Sequence, residues 1–438
     1  MGLVGSGRGT PSDREDSGAG SPRQKGIRRN AGRPGGVRQP MRQMRARRFG
    51  ILLAAITLGL GAFLALKPRL VLGYGPTSLT DGPGPWGDLT TTPIVISPPA
   101  EYIPTDAGPI VPTVWAFPGV TLDALPDVLA GVGFSTGDIV RLRAAARAAP
   151  KEDGVVVAPD PAFVHALAPA VRARLYGLLV KSSSNYSQQA AYRFHGTLDG
   201  WLGSGLSAET RAMVDPLIYQ DGGFLAFADL ELVRGTLGKG PELQRLLKRL
   251  LRHSTMLVTL RVHDESQVDR LVEYWGRGGR KTDIRPLLES AAGAGAEYAI
   301  DIIHLLPEMA RRLLYRYPKM TQGDLQQGRF ANCYWTALNF FSDQPDDALM
   351  DERVALQRLS NDYFLVQDGL QLGDIVAFSN SKREIFHMAT YIADDLVFTK
   401  NGYSSRVAWS ILPIDRIRGH FPVYADDWHI TYYRRKDL

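Results

Sequence analysis

Cys333 is the only cysteine among the 438 residues of the chain, and it lies in the segment GRFANCYWTALNFF (328–341). A lone cysteine has no partner for an internal disulfide, so its thiol is available for other chemistry. The apolar run after it indicates a buried helix that begins near Asn332, with Cys333 in the first turn. There the helix dipole lowers the pKa of a thiol, and unpaired backbone N–H groups can stabilise an oxyanion. The position therefore favours a thiolate nucleophile.

His387 is the residue that could act as the base for this thiol. It follows LGDIVAF (372–378) and stands in FHMATYIADDLVFTKNG (386–402), whose β-branched and aromatic composition is typical of strands. A histidine there can take the thiol proton and later return it to a leaving group. Taken alone, the cysteine would be an inert core residue and the histidine a satisfied core histidine. Their occurrence together supplies both the nucleophile and the base that such catalysis needs.

A third residue should orient the imidazole, and the hairpin after His387 narrows the choice. With a three-residue turn at 393–395, His387 lies opposite Asn401. With a two-residue turn at 394–395, Lys400 shares the face of His387 instead. An orienting group must accept a hydrogen bond, which an ammonium cannot do, so we predict Asn401. Nearby backbone carbonyls remain open as alternatives.

These motifs resemble the NlpC-type cell-wall peptidases and their amidase relatives, in the papain-like cysteine hydrolase group. The resemblance covers only residues 326–438. The matching residues are Asn332-Cys333, Gly373-Asp374-Ile375-Val376-Ala377-Phe378, and His387 followed by Ala389, Tyr391 and Ile392. It implies a papain-like fold, with Cys333 as nucleophile, His387 as general base, and a peptidoglycan stem peptide as substrate. Tyr334 and Trp335 stand where the family has a pair of small residues.

Residues 49–66, FGILLAAITLGLGAFLAL, carry no charge and directly follow the basic run MRARR. Eighteen residues are near the lower limit for a helix that spans a membrane. By the positive-inside rule, the arginines keep the N-terminus in the cytoplasm. We therefore expect a single-pass inner-membrane protein whose body is periplasmic. A signal peptide that starts at Met41, with residues 1–40 never made, remains open as the alternative, and a buried core helix is the less favoured one.

The charge of the chain is concentrated at its N-terminus. The net charge is +6, but residues 1–48 contain twelve Lys or Arg and three Asp or Glu, so the remainder is close to neutral. A near-neutral body argues against nucleic acid as a partner. The Gly, Arg, Ser and Pro content of residues 1–48 predicts a disordered basic cytoplasmic tail. We found no nucleotide motif and no histidine cluster at ligand spacing, so we predict neither a cofactor nor a metal.

The rest of the chain divides by composition. Residues 67–113 are rich in Pro and Gly and predict a linker. Residues 114–325 repeat apolar residues at helical spacing and predict a mainly helical domain of unknown role, with STMLVTLRVH as its one clear strand candidate. Residues 326–438 predict an α+β domain, a helix plus an antiparallel sheet. The predicted fold is therefore multidomain: a single transmembrane helix, a mainly α middle domain and a C-terminal papain-like domain.

These features together predict a membrane-anchored, exported cysteine hydrolase that cleaves an amide bond in cell-wall peptide. Its expected partners are the membrane, through residues 49–66, and a peptidoglycan or peptide substrate. Two alternatives stay open. The same fold could serve acyl or lipid transfer, which the aromatic Tyr334 and Trp335 would suit. The protein could also be a non-enzymatic envelope binding protein with a degenerate hydrolase domain, its middle region being the working part.

Overall fold

The computed structural model describes residues 77–78, 84–103, 109–149, 153–295, 298–319, 330–402, 404–421 and 427–438. These residues all belong to one compact unit, Leu72–Leu438. Within them, no helix has both the length and the apolar character needed to cross a membrane. This finding contradicts the prediction of a single-pass inner-membrane protein with a periplasmic body. The predicted span 49–66 and the predicted disordered tail 1–48 lie outside the described residues.

Strands form four antiparallel sheets in the described residues. In chain order they are β1 (Thr77–Ser78), β2 (Asp88–Ile96), β3 (Trp115–Pro118), β4 (Ala146–Ala149), β5 (Gly154–Val157), β6 (Tyr192–Phe194), β7 (Tyr219–Asp221), β8 (Phe224–Phe227), β9 (His253–Arg261), β10 (Ala299–Asp301), β11 (Tyr363–Val366), β12 (Ile375–Ser379), β13 (Ile385–Ala393), β14 (Leu396–Thr399), β15 (Ser410–Pro413) and β16 (His429–Arg435). The sheet orders are β1-β2-β9-β10, β3-β5-β4, β6-β8-β7 and β11-β16-β12-β13-β14-β15.

The helices are short, and polar residues cap many of them. Their bounds are Leu125–Val132, Thr136–Ala144, Pro161–His165, Pro169–Leu179, Tyr186–Gln189, Leu198–Leu202, Ala208–Val214, Leu230–Leu237, Pro241–Leu250, Val268–Trp275, Lys281–Gly293, Glu308–Leu313, Cys333–Leu338, Glu352–Asp362 and Ile414–Ile417. Side chains that accept a hydrogen bond from the first turn belong to Ser135, Asp160, Thr197, Ser207, Asn332 and Asp351. Such caps satisfy backbone donors that the helix leaves unpaired.

The middle region is mixed α/β, so the prediction of a mainly helical domain is wrong. Strand β9 occupies the one strand candidate, but β3 to β8 and β10 were missed. These strands are only three or four residues long, which is too short for an alternating pattern to stand out from the helical one. The short helices between these strands account for most of the helical spacing of apolar residues on which the prediction was based.

The predicted linker 67–113 contains a long strand. All nine residues of β2 pair with β9, from Asp88 opposite Arg261 to Ile96 opposite His253. Pro93 lies within this strand and lacks a backbone N–H. The described part of β1 pairs only with Thr90 and Thr91, so Pro93 lies where β2 has no described neighbour on its second side. A proline is tolerated there, although in the sequence it favoured a linker.

The C-terminal sheet is the element that positions the candidate site. Strands β12 to β14 are almost wholly buried because both faces of the sheet are covered. We call the face that packs on the Cys333–Leu338 helix the inner face, and the opposite one the outer face. The inner face includes Ala377, Met388, Ile392, Phe398 and Ile411. The outer face includes Val376, Phe378, Ala389, Tyr391 and Val397.

The core of the inner face continues into the middle region. One cluster of buried apolar side chains joins Leu89 of β2, Val258 of β9, Trp275, Phe340 and Ile411. These residues come from all three segments that composition had divided. The described residues therefore share one core across the predicted boundary at 325/326.

Gly373 shows why the GDIVAF motif begins with glycine. Its φ is +92°, and an added Cβ would come within 2.0 Å of the Phe341 ring. We expect Gly373→Ala to lower the free energy of unfolding by about 2–4 kcal/mol, from backbone strain plus overpacking. Gly369 is the matched control, since its φ is +64° but nothing lies within 4 Å of an added Cβ. Urea unfolding should show a loss of only about 1 kcal/mol for Gly369→Ala, and equal losses for the two variants would refute the packing argument.

Candidate functional site

Cys333 is the first residue of its helix, as predicted. The Asn332 side chain accepts a hydrogen bond from the Trp335 N–H at 2.9 Å and donates to the Met350 carbonyl at 3.0 Å, which anchors the start of the helix. The helix has only six residues, Cys333–Leu338. A helix this short adds little to the dipole that the sequence argument invoked.

The Cys333 sulfur is enclosed, with 5% of the residue exposed. Burial raises the pKa of the thiol to about 11. Backbone N–H groups of Met388 and Tyr334 and the charge of Lys400 act in the opposite direction and favour the thiolate. Burial is the larger effect, so the thiol is protonated at neutral pH in this conformation.

His387 lies on the outer face, away from the helix. It pairs across the sheet with Phe378, and its ring lies 5.4 Å from the Phe378 ring and 4.6 Å from the Phe421 ring. Met388, the next residue, belongs to the inner-face core with Cys333. Since successive side chains of a strand point to opposite faces, a strand that presents Met388 to the helix turns His387 away.

The predicted Cys333–His387 pair is therefore not formed. In the described part of the chain, no hydrogen bond joins the Cys333 sulfur to the His387 ring; the Nε2 atom of His387 instead lies 3.0 Å from the Thr399 hydroxyl. Burial lowers the pKa of His387 to about 3. The imidazole is neutral at neutral pH but has no path to the thiol proton in this conformation.

Asn401 does join His387, although through Thr399. The Thr399 hydroxyl donates to Asn401 Oδ1 at 3.3 Å, so its lone pair is left to accept the N–H of His387 Nε2. His387 Nδ1 and Asn401 Nδ2 find no hydrogen-bond partner among the described residues. Sequence reasoning missed Thr399, although it lies two residues before Asn401 and so shares its face.

The hairpin register explains this arrangement. Ala393 pairs with Leu396, so the turn contains two residues, Asp394 and Asp395. An irregularity between Tyr391 and Ala393 adds one residue to β13. The pairs beyond it, such as Thr390 with Phe398, have the register expected of a three-residue turn.

Lys400 lies on the inner face in this register. Its side chain is fully buried, and its Nζ donates to the carbonyls of Gly402 at 2.6 Å and Ser404 at 3.0 Å. Burial lowers the pKa of Lys400 to about 7. The sequence argument had considered this lysine only as a partner for His387 and had rejected it.

A group of histidines surrounds the outer-face side of the site. The centres of the His253 and His420 rings are 5.7 Å apart, and His195, His253 and His387 lie close enough to lower the pKa of His420. Burial lowers the pKa of His195 and of His253 to about 4, and that of His420 well below its usual value. Within the described ranges, no three His, Cys, Asp or Glu side chains are arranged to hold a metal ion.

Comparisons with protein-family models, with curated proteins and with solved structures found no match for this chain.

Proposed function

We propose that the protein is a cysteine-dependent hydrolase that cleaves an amide bond, with Cys333 as its nucleophile. The proposal is based on the groups that surround the Cys333 sulfur. Backbone N–H groups from two different elements, Tyr334 on the helix and Met388 on β13, both favour its thiolate. Lys400 adds a cation on the same face. The resemblance to NlpC-type peptidases supports the same choice of nucleophile, and a peptide amide is the proposed substrate.

The chemistry follows from these contacts. The Cys333 thiolate attacks the amide carbonyl, the S–C bond forms, and the carbonyl electrons move to oxygen. Backbone N–H donors beside the sulfur are suited to stabilise that oxyanion. The tetrahedral intermediate expels the protonated amine, and water then hydrolyses the thioester. The proton acceptor for the thiol must lie on the inner face, a requirement that His387 does not meet in this conformation.

The proposal requires that the described conformation be the closed one. Tyr334 and Trp335 flank the nucleophile and are tied down, by a 2.7 Å hydrogen bond from the Tyr334 hydroxyl to the Ile385 carbonyl and a 3.1 Å bond from the Trp335 indole to Asp347. Small residues stand at these two positions in the family that the chain resembles. We propose that substrate binding breaks one of these two contacts and exposes the sulfur.

A mechanism-based probe tests this function. At neutral pH, we expect a peptidyl acyloxymethyl ketone to label folded protein at Cys333, because the probe reacts only with a thiolate beside an oxyanion-stabilising site. Mass spectrometry of the digested protein locates the adduct, and Cys333→Ala supplies the control. If the probe labels Cys333 only after the protein has been unfolded, the hydrolase proposal fails.

A second candidate is a hydrolase-like fold without catalysis. The burial of the sulfur and its raised pKa favour this alternative, since an inert core cysteine has both properties. Under it, Cys333→Ala would keep the full biological role of the protein in a deletion strain. Loss of that role in a folded Cys333→Ala protein would exclude this candidate.

A further inference from the structure

The register of the β13–β14 hairpin places Lys400 on the face of the sheet that packs on the Cys333–Leu338 helix. Thr390 pairs with Phe398, so the same register extended by two residues sets Lys400 opposite Met388. Opposed residues of an antiparallel pair share a face, and Met388 belongs to the inner-face core together with Cys333. Lys400 therefore faces the helix, whereas His387 and Thr399 face the other way.

Contacts of Lys400 support this placement independently of the register. Its Nζ lies 5.9 Å from the centre of the Trp409 ring, and the Trp409 indole donates to the hydroxyl of Thr336 at 3.0 Å. Thr336 is one turn after Cys333 on the same helix. The lysine, the tryptophan and the helix thus form one layer on the inner face of the sheet.

We infer that Lys400, rather than His387, takes the proton from Cys333. The inference rests on the proposed function. In the step, the S–H bond breaks and its electron pair stays on sulfur, while the Lys400 amine uses its lone pair to form a third N–H bond. The ammonium later returns this proton to the amine that leaves the substrate. The proton is thus conserved between thiol, lysine and leaving group.

Burial makes a lysine suitable for this role. It lowers the pKa of Lys400 to about 7, so much of the amine is unprotonated at neutral pH. The amine contacts the carbonyls of Gly402 and Ser404 and the Trp409 ring. The charge of Cys333 acts on the pKa of Lys400, and the charge of Lys400, together with burial, lowers the pKa of His253. Among the described residues, no carboxylate raises the pKa of Lys400, so no carboxylate keeps the lysine protonated at neutral pH.

The pH dependence of Cys333 alkylation by the peptidyl acyloxymethyl ketone tests the inference without a known substrate, because the peptide part of this probe occupies the substrate site and so opens the closed conformation. The full chain, Lys400→Met and Lys400→Arg are compared between about pH 5 and pH 10. With Lys400 as acceptor, the alkylation rate rises to a plateau above about pH 7, because the thiol–amine pair then holds one proton in total. Lys400→Met loses the plateau and reacts about tenfold more slowly at neutral pH. Lys400→Arg keeps the charge but cannot accept the proton, so it also lacks the plateau near pH 7.

The possible outcomes distinguish failure of the Lys400 inference from failure of the hydrolase proposal. Lys382→Met, an exposed lysine on the turn between β12 and β13, is the matched control and should keep the plateau. If folded wild-type protein is alkylated and Lys400→Met gives the same rate and profile, the lysine inference is overturned while the hydrolase proposal stands. If Cys333 of folded wild-type protein does not react at all, both are overturned. Circular dichroism confirms that each variant is folded.

Discussion

Acidification from neutral pH strongly lowers the free energy of unfolding, because His387 and its histidine neighbours stay neutral in the folded protein. Burial lowers the pKa of His387 to about 3, whereas the unfolded chain binds this proton near pH 6.5. Between these values the unfolded state holds more protons, so stability falls by up to about 1.4 kcal/mol per pH unit for this ring. The contribution is complete above about pH 6.5 and is lost as the pH falls toward about 3.

The three other histidines of the group add to this slope. The pKa values of His195, His253 and His420 are also lowered, so each ring adds to the slope in the same direction. The charged groups that act on them are Arg416 on His195, Lys400 on His253 and Arg193 on His420. These are all cations, which oppose protonation.

Urea unfolding at several pH values between about pH 7 and pH 5 measures this slope. His387→Gln should reduce it by removing the titrating ring, at some cost in stability at neutral pH. His263→Gln is the control, because His263 is half exposed and already paired with Asp88 at 3.0 Å. A free energy of unfolding that is the same at both ends of the pH range would contradict the assignment of neutral, buried rings.

Asp229→Ala should destabilise the middle region by about 3–5 kcal/mol, because it leaves a buried guanidinium without its counter-charge. Arg172 is fully buried, and its NH1 atom lies 2.6 Å from Asp229 Oδ2. The Tyr176 hydroxyl donates to Asp229 Oδ1 at 2.6 Å, and Arg172 also donates to the Val164 carbonyl at 2.6 Å. The carboxylate thus satisfies two buried donors at once.

Thermal and urea unfolding at neutral pH measure the effect. Asp269→Ala is the control, since Asp269 pairs with Arg285 at 2.8 Å on the surface and should cost less than about 1 kcal/mol. Equal losses for the two variants would show that the Arg172–Asp229 pair is not sealed from water.

The sequence allowed the C-terminal elements to be predicted but not the faces of the site. The start of the Cys333 helix and strands β12, β13, β14 and β16 were recognisable from apolar runs and β-branched residues. Side chains of a strand alternate between the two faces of the sheet, and the face of His387 depends on which alternate set packs on the helix. No local sequence pattern determines that choice. The irregularity near Ile392, which sets the positions of Lys400 and Asn401, also leaves no sequence signal.

The middle region was less predictable for a different physical reason. Its sheets are built from strands of three or four residues whose pairing is long-range, so local propensity carries little information about them. The buried pair of Arg172 and Asp229 was also missed, because charged residues within helical patterns are normally exposed.

The most direct test of the central claim is the mass of the Cys333-containing peptide after folded protein has been incubated at neutral pH with an N-acyl-peptide thioester. The account predicts one acyl group on Cys333, held by a bond that hydroxylamine cleaves, and none on the Cys333→Ala protein. Acylation of Cys333 that occurs only once the protein is unfolded would contradict it, because the folded thiol would then be a packing residue.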